Sequence, residues 1–221
     1  MINRRMYLSY LKQELTTDKK SEFVAAIHRQ EAVWRSSGLI TLSCFHLQGV
    51  VCVYLESERA DEGFSWSEEV ASWFHLSPSL QGLNNAILMS DIFHDGVPFD
   101  RASWRKDRAI EHRVGSLARI RPEMLSSYVF YHYQLQEEYP ESFNKTYIIG
   151  LQDCLIFSYY ELPAVVSEIR LKGKLNTHFS PTDSWQEVMD PHFEAWPTPE
   201  GGFVPWLTME HLCTLSGVPR G

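Results

Sequence analysis

The chain has 221 residues, 44% of them hydrophobic and 22% charged, which is the composition of a soluble globular protein with room for one large domain or two of about 100 residues each. Its formal net charge of −8 argues against a basic nucleic-acid groove and against attraction to an anionic membrane surface. No stretch approaches the ~20 apolar residues that cross a bilayer, and Met1–Arg5 leads into no apolar run of signal-peptide length.

The predicted elements begin with a strand over Arg4–Lys12. A helix is expected over Asp18–Ser37, because Phe23, Ala26, Ile27, Val33 and Trp34 recur at helical spacing and Gly38 can stop it. Leu39–Leu47 and Val50–Glu56 read as a hairpin across Gln48-Gly49. A second helix over Trp66–Leu76 and a last strand over Ala86–Phe93 complete the series. The stretch 99–112 is charge-rich, has Trp104 as its one large apolar anchor, and reads as a solvated, partly helical connector.

The series then starts again. Arg113–Arg121 is a strand and Pro122–Gln136 a helix, with proline in its first turn and Glu123 favourable against its dipole. Local propensity alone would make "SYVFYHY" a strand. A hairpin over Thr146–Leu151 and Cys154–Glu161, an excursion at 163–181, a helix over Trp185–Phe193 and a strand over Leu207–Leu215 follow.

The second half therefore repeats the first. "FHLQGVVCVYLE" from Phe45 echoes "IGLQDCLIFSYYE" from Ile149; "SWSEEVASWF" from Ser65 echoes "SWQEVMDPHF" from Ser184; "MSDIFHDGVP" from Met89 echoes "MEHLCTLSGVP" from Met209. These matches start 104, 119 and 120 residues apart, in the same order. One structural unit used twice is the reading: copy 1 over 1–98, the connector 99–112, and copy 2 over 113–221. Two β-α-β-β-α-β, ferredoxin-like repeats form an α+β protein, with antiparallel sheets covered by helices on one face. The bare faces must be covered, and two copies in one chain can cover each other as an intrachain pseudo-dimeric α/β barrel. The space between the sheets is then expected to hold the ligand.

Copy 2 carries the candidate chemistry. Tyr128 and His132 lie four apart and share one helix face with Leu125 and Leu135, so both side chains point inward. With "RVGSLARIRPE" from Arg113, the hairpin Tyr147–Glu161, Trp185, Asp190-Pro191 and "PWLTMEHLCTL" from Pro205, this Y-x-x-x-H pattern resembles the L-rhamnose mutarotase family of the dimeric α/β-barrel superfamily. The resemblance implies His132 as general acid/base and Tyr128 as a sugar-binding partner, both in the catalytic set. It implies Trp185, Asp190 and Trp206 as substrate-binding residues. It also implies an isomerase that interconverts the anomers of a free aldose, without cofactor or metal. Imidazole suits proton transfer in both directions near neutral pH, a phenol can bond sugar oxygens, and an indole can cover a sugar's apolar face.

The pattern departs from the family at Gln136–Glu137, where a Trp-Pro pair is usual, and at Gln186, where a second tryptophan is common. A non-catalytic sugar- or small-molecule-binding protein, or a cofactor-free monooxygenase acting on an aromatic compound, is therefore the alternative. Copy 1 has Phe23 and Ile27 where copy 2 has Tyr128 and His132, with His28 one position late, about 100° round the helix. It reads as structural. Asp91, His94 and Asp95 could suggest a metal, but two of these side chains would point to opposite sheet faces or into a loop; His75, His178, His192 and His211 have no ligand spacing, and Glu68-Glu69 and Glu137-Glu138 read as solvated faces. Four cysteines without CxxC spacing fit a cytoplasmic, disulfide-free protein whose partner is a small sugar, not nucleic acid or membrane.

Overall fold

The computed structural model describes residues 2–216 except 60–62, 80–81, 106–107, 168–171, 176–183 and 199–200. The chain is a mixed α+β protein with antiparallel sheets. In the first half, β1 (Asn3–Tyr10), β2 (Leu39–Leu47) and β3 (Val50–Ser57) alternate with α1 (Thr17–Arg29), α2 (Glu31–Ser36) and α3 (Glu68–Ala71). A small hairpin of β4 (Ser77–Ser79) and β5 (Gly82–Asn84) follows, then β6 (Ile87–Leu88), β7 (Ser90–His94) and α4 (Arg101–Arg105). The second half contains β8 (His112–Ile120), a 3-10 turn at Pro122–Met124, α5 (Leu125–Glu138), β9 (Ile148–Gln152) and β10 (Leu155–Leu162). It closes with α6 (Trp185–Met189), a 3-10 turn at Asp190–His192, β11 (Phe193–Glu194), β12 (Trp206–Thr208) and β13 (Glu210–Ser216).

The two compact units are not the two halves of the chain. Unit 1 comprises Met1–Met89, Pro98–Arg108 and the terminal segment from Glu210; unit 2 comprises Ser90–Val97 and Ala109–Met209. The unit 1 sheet runs β13-β2-β3-β1-β6, and the unit 2 sheet runs β11-β8-β10-β9-β7, with β12 also on β8. The single last strand expected for each copy is thus broken in two and shared. β6 pairs with β1, Met89 N–H donates to the Met6 carbonyl at 2.9 Å, and β7 then joins β9. In the second half of the chain β12 pairs with β8, Met209 N–H donates to the Gly115 carbonyl at 2.8 Å, and β13 joins β2. Met89 and Met209, both buried, mark the crossover in each half of the chain.

Each sheet buries one face under its helices. In unit 1, Phe23, Ala26 and Ile27 of α1 pack with Val51, Val53 and Leu55 of β3 and with Trp66, Val70 and Phe74. The expected helix over Asp18–Ser37 is interrupted at Gln30, and Gly38, at φ +92°, ends α2. The expected helix over Trp66–Leu76 stops at Ala71. Phe74 is drawn into the core and bridges Leu11, while His75 N–H donates to the Tyr10 carbonyl, so the backbone leaves the helix to pair with the end of β1. The connector forms α4, and Trp104 is buried with its indole N–H donating to Glu56 at 3.0 Å.

In unit 2 the conflict over "SYVFYHY" resolves to helix, with Tyr128 buried against Ala118, Ile120, Ile149, Ile156 and Phe193. Phe130 and Tyr133 occupy the exposed side of α5. All four cysteines are free. Residues 168–171 and 176–181 of the expected excursion, His178 among them, lie outside the described residues. No described helix is long and apolar enough to cross a membrane.

Candidate functional site

The site lies on the helix-covered face of the unit 2 sheet. Strand parity puts Ile156, Ser158 and Tyr160 of β10 on one face and Phe157, Tyr159 and Glu161 on the other. Ile156 belongs to the core under α5, so Tyr160 faces the same side. Two adjoining chambers open there. The smaller, about 290 Å³, is lined by Tyr128, His132, Tyr147, Trp185, Gln186, Met189, Asp190, Phe193, Pro205 and Trp206. The larger, about 450 Å³, is lined by Phe93, His132, Leu135, Phe143, Asn144, Tyr147, Tyr160, Leu162, Ala164 and Trp185. His132, Tyr147 and Trp185 are common to both. All five residues singled out from the sequence — His132, Tyr128, Trp185, Asp190 and Trp206 — line the smaller chamber. The sequence led to a cavity between sheets; these chambers sit between sheet and helix within one unit.

His132 is held in a defined tautomer. Its Nδ1 lies 2.9 Å from the Tyr128 carbonyl oxygen one turn earlier on α5. A carbonyl only accepts, so Nδ1 carries the proton and donates it. Nε2 is then the unprotonated nitrogen, and it has no hydrogen-bond partner among the described residues. Aromatic rings enclose the imidazole: Tyr128 at 4.1 Å, Trp185 at 5.2 Å and Phe93 at 5.7 Å between centroids. This apolar cage disfavours the charged form. Burial pushes the His132 pKa down from 6.5 to about 4; the bond to Tyr128 opposes the shift, and nearby His192 adds slightly to it. At neutral pH the ring is an uncharged base. The sequence reading placed its titration near neutrality; desolvation moves it well into the acid range.

Tyr128 is 1% exposed, and burial raises its hydroxyl well above the ordinary value of 10, with Tyr147 adding to the effect. It therefore stays protonated as a donor, and no described group accepts from it. The Tyr147 hydroxyl is also pushed up, to about 12, by burial, with a hydrogen bond from Ser158 opposing the shift. Trp185, 37% exposed, presents its indole edge-on to His132 at the start of α6, which Ser184 caps by accepting from Glu187 N–H. Trp206 packs on Phe193, 5.7 Å between rings, and Phe193 packs on Tyr128 at the same spacing.

Four contributors were not singled out from the sequence. Tyr147 and Tyr160 follow the period-2 pattern of the hairpin and could have been read from it. Phe93 arrives on the shared strand β7, which local pattern does not reveal. His192, dismissed for lack of ligand spacing, is buried 6.0 Å from the Tyr128 ring. Ser127 Oγ donates to the Met124 carbonyl, so His192 Nε2–H must be the donor in its 2.9 Å contact with Ser127. His192 Nδ1 is left buried without a hydrogen-bond partner among the described residues.

In copy 1, Phe23 and Ile27 are fully buried in the unit 1 core, and His28 is exposed. His94 and Asp91 form an exposed pair at 2.8 Å, while Asp95 turns inward to backbone amides. Among the described residues there is no group of three or more His, Cys, Asp or Glu that could hold a metal. Compared with family models, curated proteins and solved structures, the chain matches none, and the functional reading stands on the geometry of this site.

Proposed function

We propose that the chain is a mutarotase-like sugar epimerase of the L-rhamnose mutarotase kind, which interconverts the anomers of a free aldose in the smaller chamber of unit 2. On this reading the chain is a tandem of ferredoxin-like repeats forming an intrachain pseudo-dimer of the dimeric α/β-barrel type. The repeated strand order and the sharing of each copy's last strand support that architecture. One observation carries the activity: His132 is neutral, its Nδ1 proton is fixed on the Tyr128 carbonyl, and its Nε2 lone pair is left for substrate.

The steps follow from that tautomer. Nε2 takes the proton of the anomeric hydroxyl, the bond between the anomeric carbon and the ring oxygen breaks, and the imidazolium passes the proton to the ring oxygen. The aldehyde turns about its carbon–carbon bond. Nε2 then takes the proton of the attacking hydroxyl and returns it to the former aldehyde oxygen as the ring closes on the other face. Donor and acceptor oxygens share one carbon, so a single imidazole reaches both. The Tyr128 hydroxyl donates to the oxygen on which negative charge develops. On this reading Asp190, Trp185 and Trp206, which line the chamber, supply hydrogen bonds to other sugar oxygens. The reaction is redox-neutral and needs no cofactor.

Saturation transfer between anomeric protons, run across the common aldoses, tests the proposal. Exchange above the spontaneous rate is expected for at least one sugar; unaccelerated exchange for all of them sinks it. Tyr128→Phe keeps the ring and removes only the hydroxyl. It should lower turnover by about a hundredfold and affinity much less; an effect on affinity alone identifies a binding protein. The mainly apolar lining of the larger chamber favours a second reading, a cofactor-free monooxygenase acting on an aromatic compound. Dioxygen consumption with an aromatic substrate, in the absence of anomeric exchange, selects it.

A further inference from the structure

We infer that Cys44 and Cys213 are a modification site: a small-molecule disulfide oxidises the pair to a reversible disulfide that staples strand β13 to β2 in unit 1. The two residues stand directly opposite each other in the antiparallel register of these strands. Directly opposed residues have Cα atoms about 4.5–5.5 Å apart, inside the span of about 4.4–6.8 Å that a disulfide bridges, so the backbone already has the reach for closure. Both side chains lie in the core with Phe23, Ala26 and Ile27 of α1, and the two thiols are hydrogen-bonding neighbours. The next opposed pair, Ser43 and Thr214, brings its hydroxyls to 3.0 Å and confirms the register. The other two cysteines do not fit. Cys52, opposite Phe45, turns to the other face of the sheet, and Cys154 belongs to unit 2.

The staple holds a strand that needs holding. β13 comes from the far end of the chain and forms an edge of the unit 1 sheet, with β2 as its strand neighbour among the described residues. Side chains tie both of its ends: Lys20 of α1 pairs with Glu210 at 2.5 Å, and Arg35 donates to the Ser216 carbonyl at 2.9 Å. Both ties are solvent-exposed, where such bonds add little. The thiol pair lies between them, in the core. Burial pushes the Cys44 thiol well above its ordinary value, and Cys213 adds to the effect, so the closed strand is unreactive. Reaction waits for local opening of the edge strand. Cys213, 8% exposed against 0% for Cys44, is reached first. Its thiolate attacks one sulfur of the small disulfide and expels the other as a thiolate, which takes up the proton that Cys213 lost. The Cys44 thiolate then attacks the Cys213 sulfur of this mixed disulfide and expels the second small thiolate, which takes up the proton of Cys44. The protein pair is oxidised by two electrons, and the small disulfide is reduced to two thiols. This inference does not depend on the chemistry assigned to His132.

Incubating the whole native chain with oxidised glutathione tests it, with remaining thiols then alkylated in denaturant and the peptides mapped by mass spectrometry. A Cys44–Cys213 linkage is expected, with neither Cys52 nor Cys154 joined to another cysteine of the chain. The linkage should raise the thermal midpoint by about 5–15 °C, the scale of closing a loop of more than a hundred residues, and dithiothreitol should reverse the rise. Cys213→Ser and Cys213→Ala should each keep the native circular dichroism spectrum and lose both the linkage and the rise. Cys154→Ser, at a partly exposed turn, should keep both. A linkage through Cys52 or Cys154, a glutathione adduct on Cys213 that never resolves, no oxidation of either cysteine, or a linkage that leaves the midpoint unmoved overturns the inference.

Discussion

Replacing His132 with alanine should return anomeric exchange to the spontaneous rate, a loss of about 10²- to 10⁴-fold for a general acid/base. The circular dichroism spectrum should stay native, since alanine is favoured in a helix. His28→Ala should leave the rate unchanged: His28 is exposed, and Ile27 fills the matching core position. Equal losses from the two changes would remove His132 from the mechanism. The pH profile adds a second signature. With the imidazole pKa pushed down to about 4, the rate should be level through neutrality and fall only as the pH approaches 4. The raised hydroxyls of Tyr128 and Tyr147 keep their protons across the same range. Stability should move with the same group. The folded pKa lies below the ordinary 6.5, so between about 4 and 6.5 the unfolded chain binds a proton that the folded chain refuses. That contribution is therefore fully present above 6.5 and is lost as pH falls to about 4, by up to about 3 kcal/mol. Urea denaturation at pH 7 and pH 4.5 should show the wild type losing more stability than His132→Ala over this interval. The same loss in both proteins would contradict the assigned burial.

The parts of the fold legible in the sequence are those fixed by local chemistry plus repetition. Leu39–Leu47 was bounded correctly because Gly38 and Gln48-Gly49 punctuate both ends. The helical state of 125–138 was readable because Pro122 and the match to copy 1 outweighed seven residues of strand-forming character. The sharing of the last strands was not legible. An apolar strand pattern says which residues turn inward, not which sheet they join, and nothing at Met89 or Met209 differs from an ordinary strand interior. The early end of α3 had the same origin, since the pull on Phe74 comes from residues more than sixty positions away. The candidate site divides in the same way. The spacing of Tyr128 and His132 showed one inward face, but Phe93 and Trp185 reach the imidazole only through tertiary folding. His132's low pKa is set by those rings, so sequence spacing alone left it at its ordinary value.

Asp95→Ala should be the most destabilising single change outside the apolar cores, at about 3 kcal/mol or more. Asp95 follows β7, the strand that the first half of the chain supplies to unit 2, and it is 4% exposed. Its carboxylate accepts three backbone N–H groups: Ser142 at 3.0 Å on Oδ1, and Phe143 at 2.8 Å and Asn144 at 2.7 Å on Oδ2. Its own backbone N–H donates to the Tyr147 carbonyl, and its carbonyl accepts from Glu141, each at 3.0 Å. One residue therefore clasps the loop between α5 and β9 from all sides. That loop carries Phe143 and Asn144 of the larger chamber, and Asn144 in turn anchors the Glu161 carbonyl and Thr146. Alanine leaves three donors without acceptors in a site that water barely reaches, and each buried orphan costs about 1–3 kcal/mol. Asp95→Asn keeps one acceptor oxygen but turns an amine toward amide hydrogens, so it should recover only part of the loss. Asp91→Ala is the matched control. It removes an exposed carboxylate paired with His94 and should cost less than about 0.5 kcal/mol. Urea denaturation of the three variants at pH 7 orders them. An alanine variant at position 95 within about 0.5 kcal/mol of wild type would mean that the loop holds its shape without the clasp.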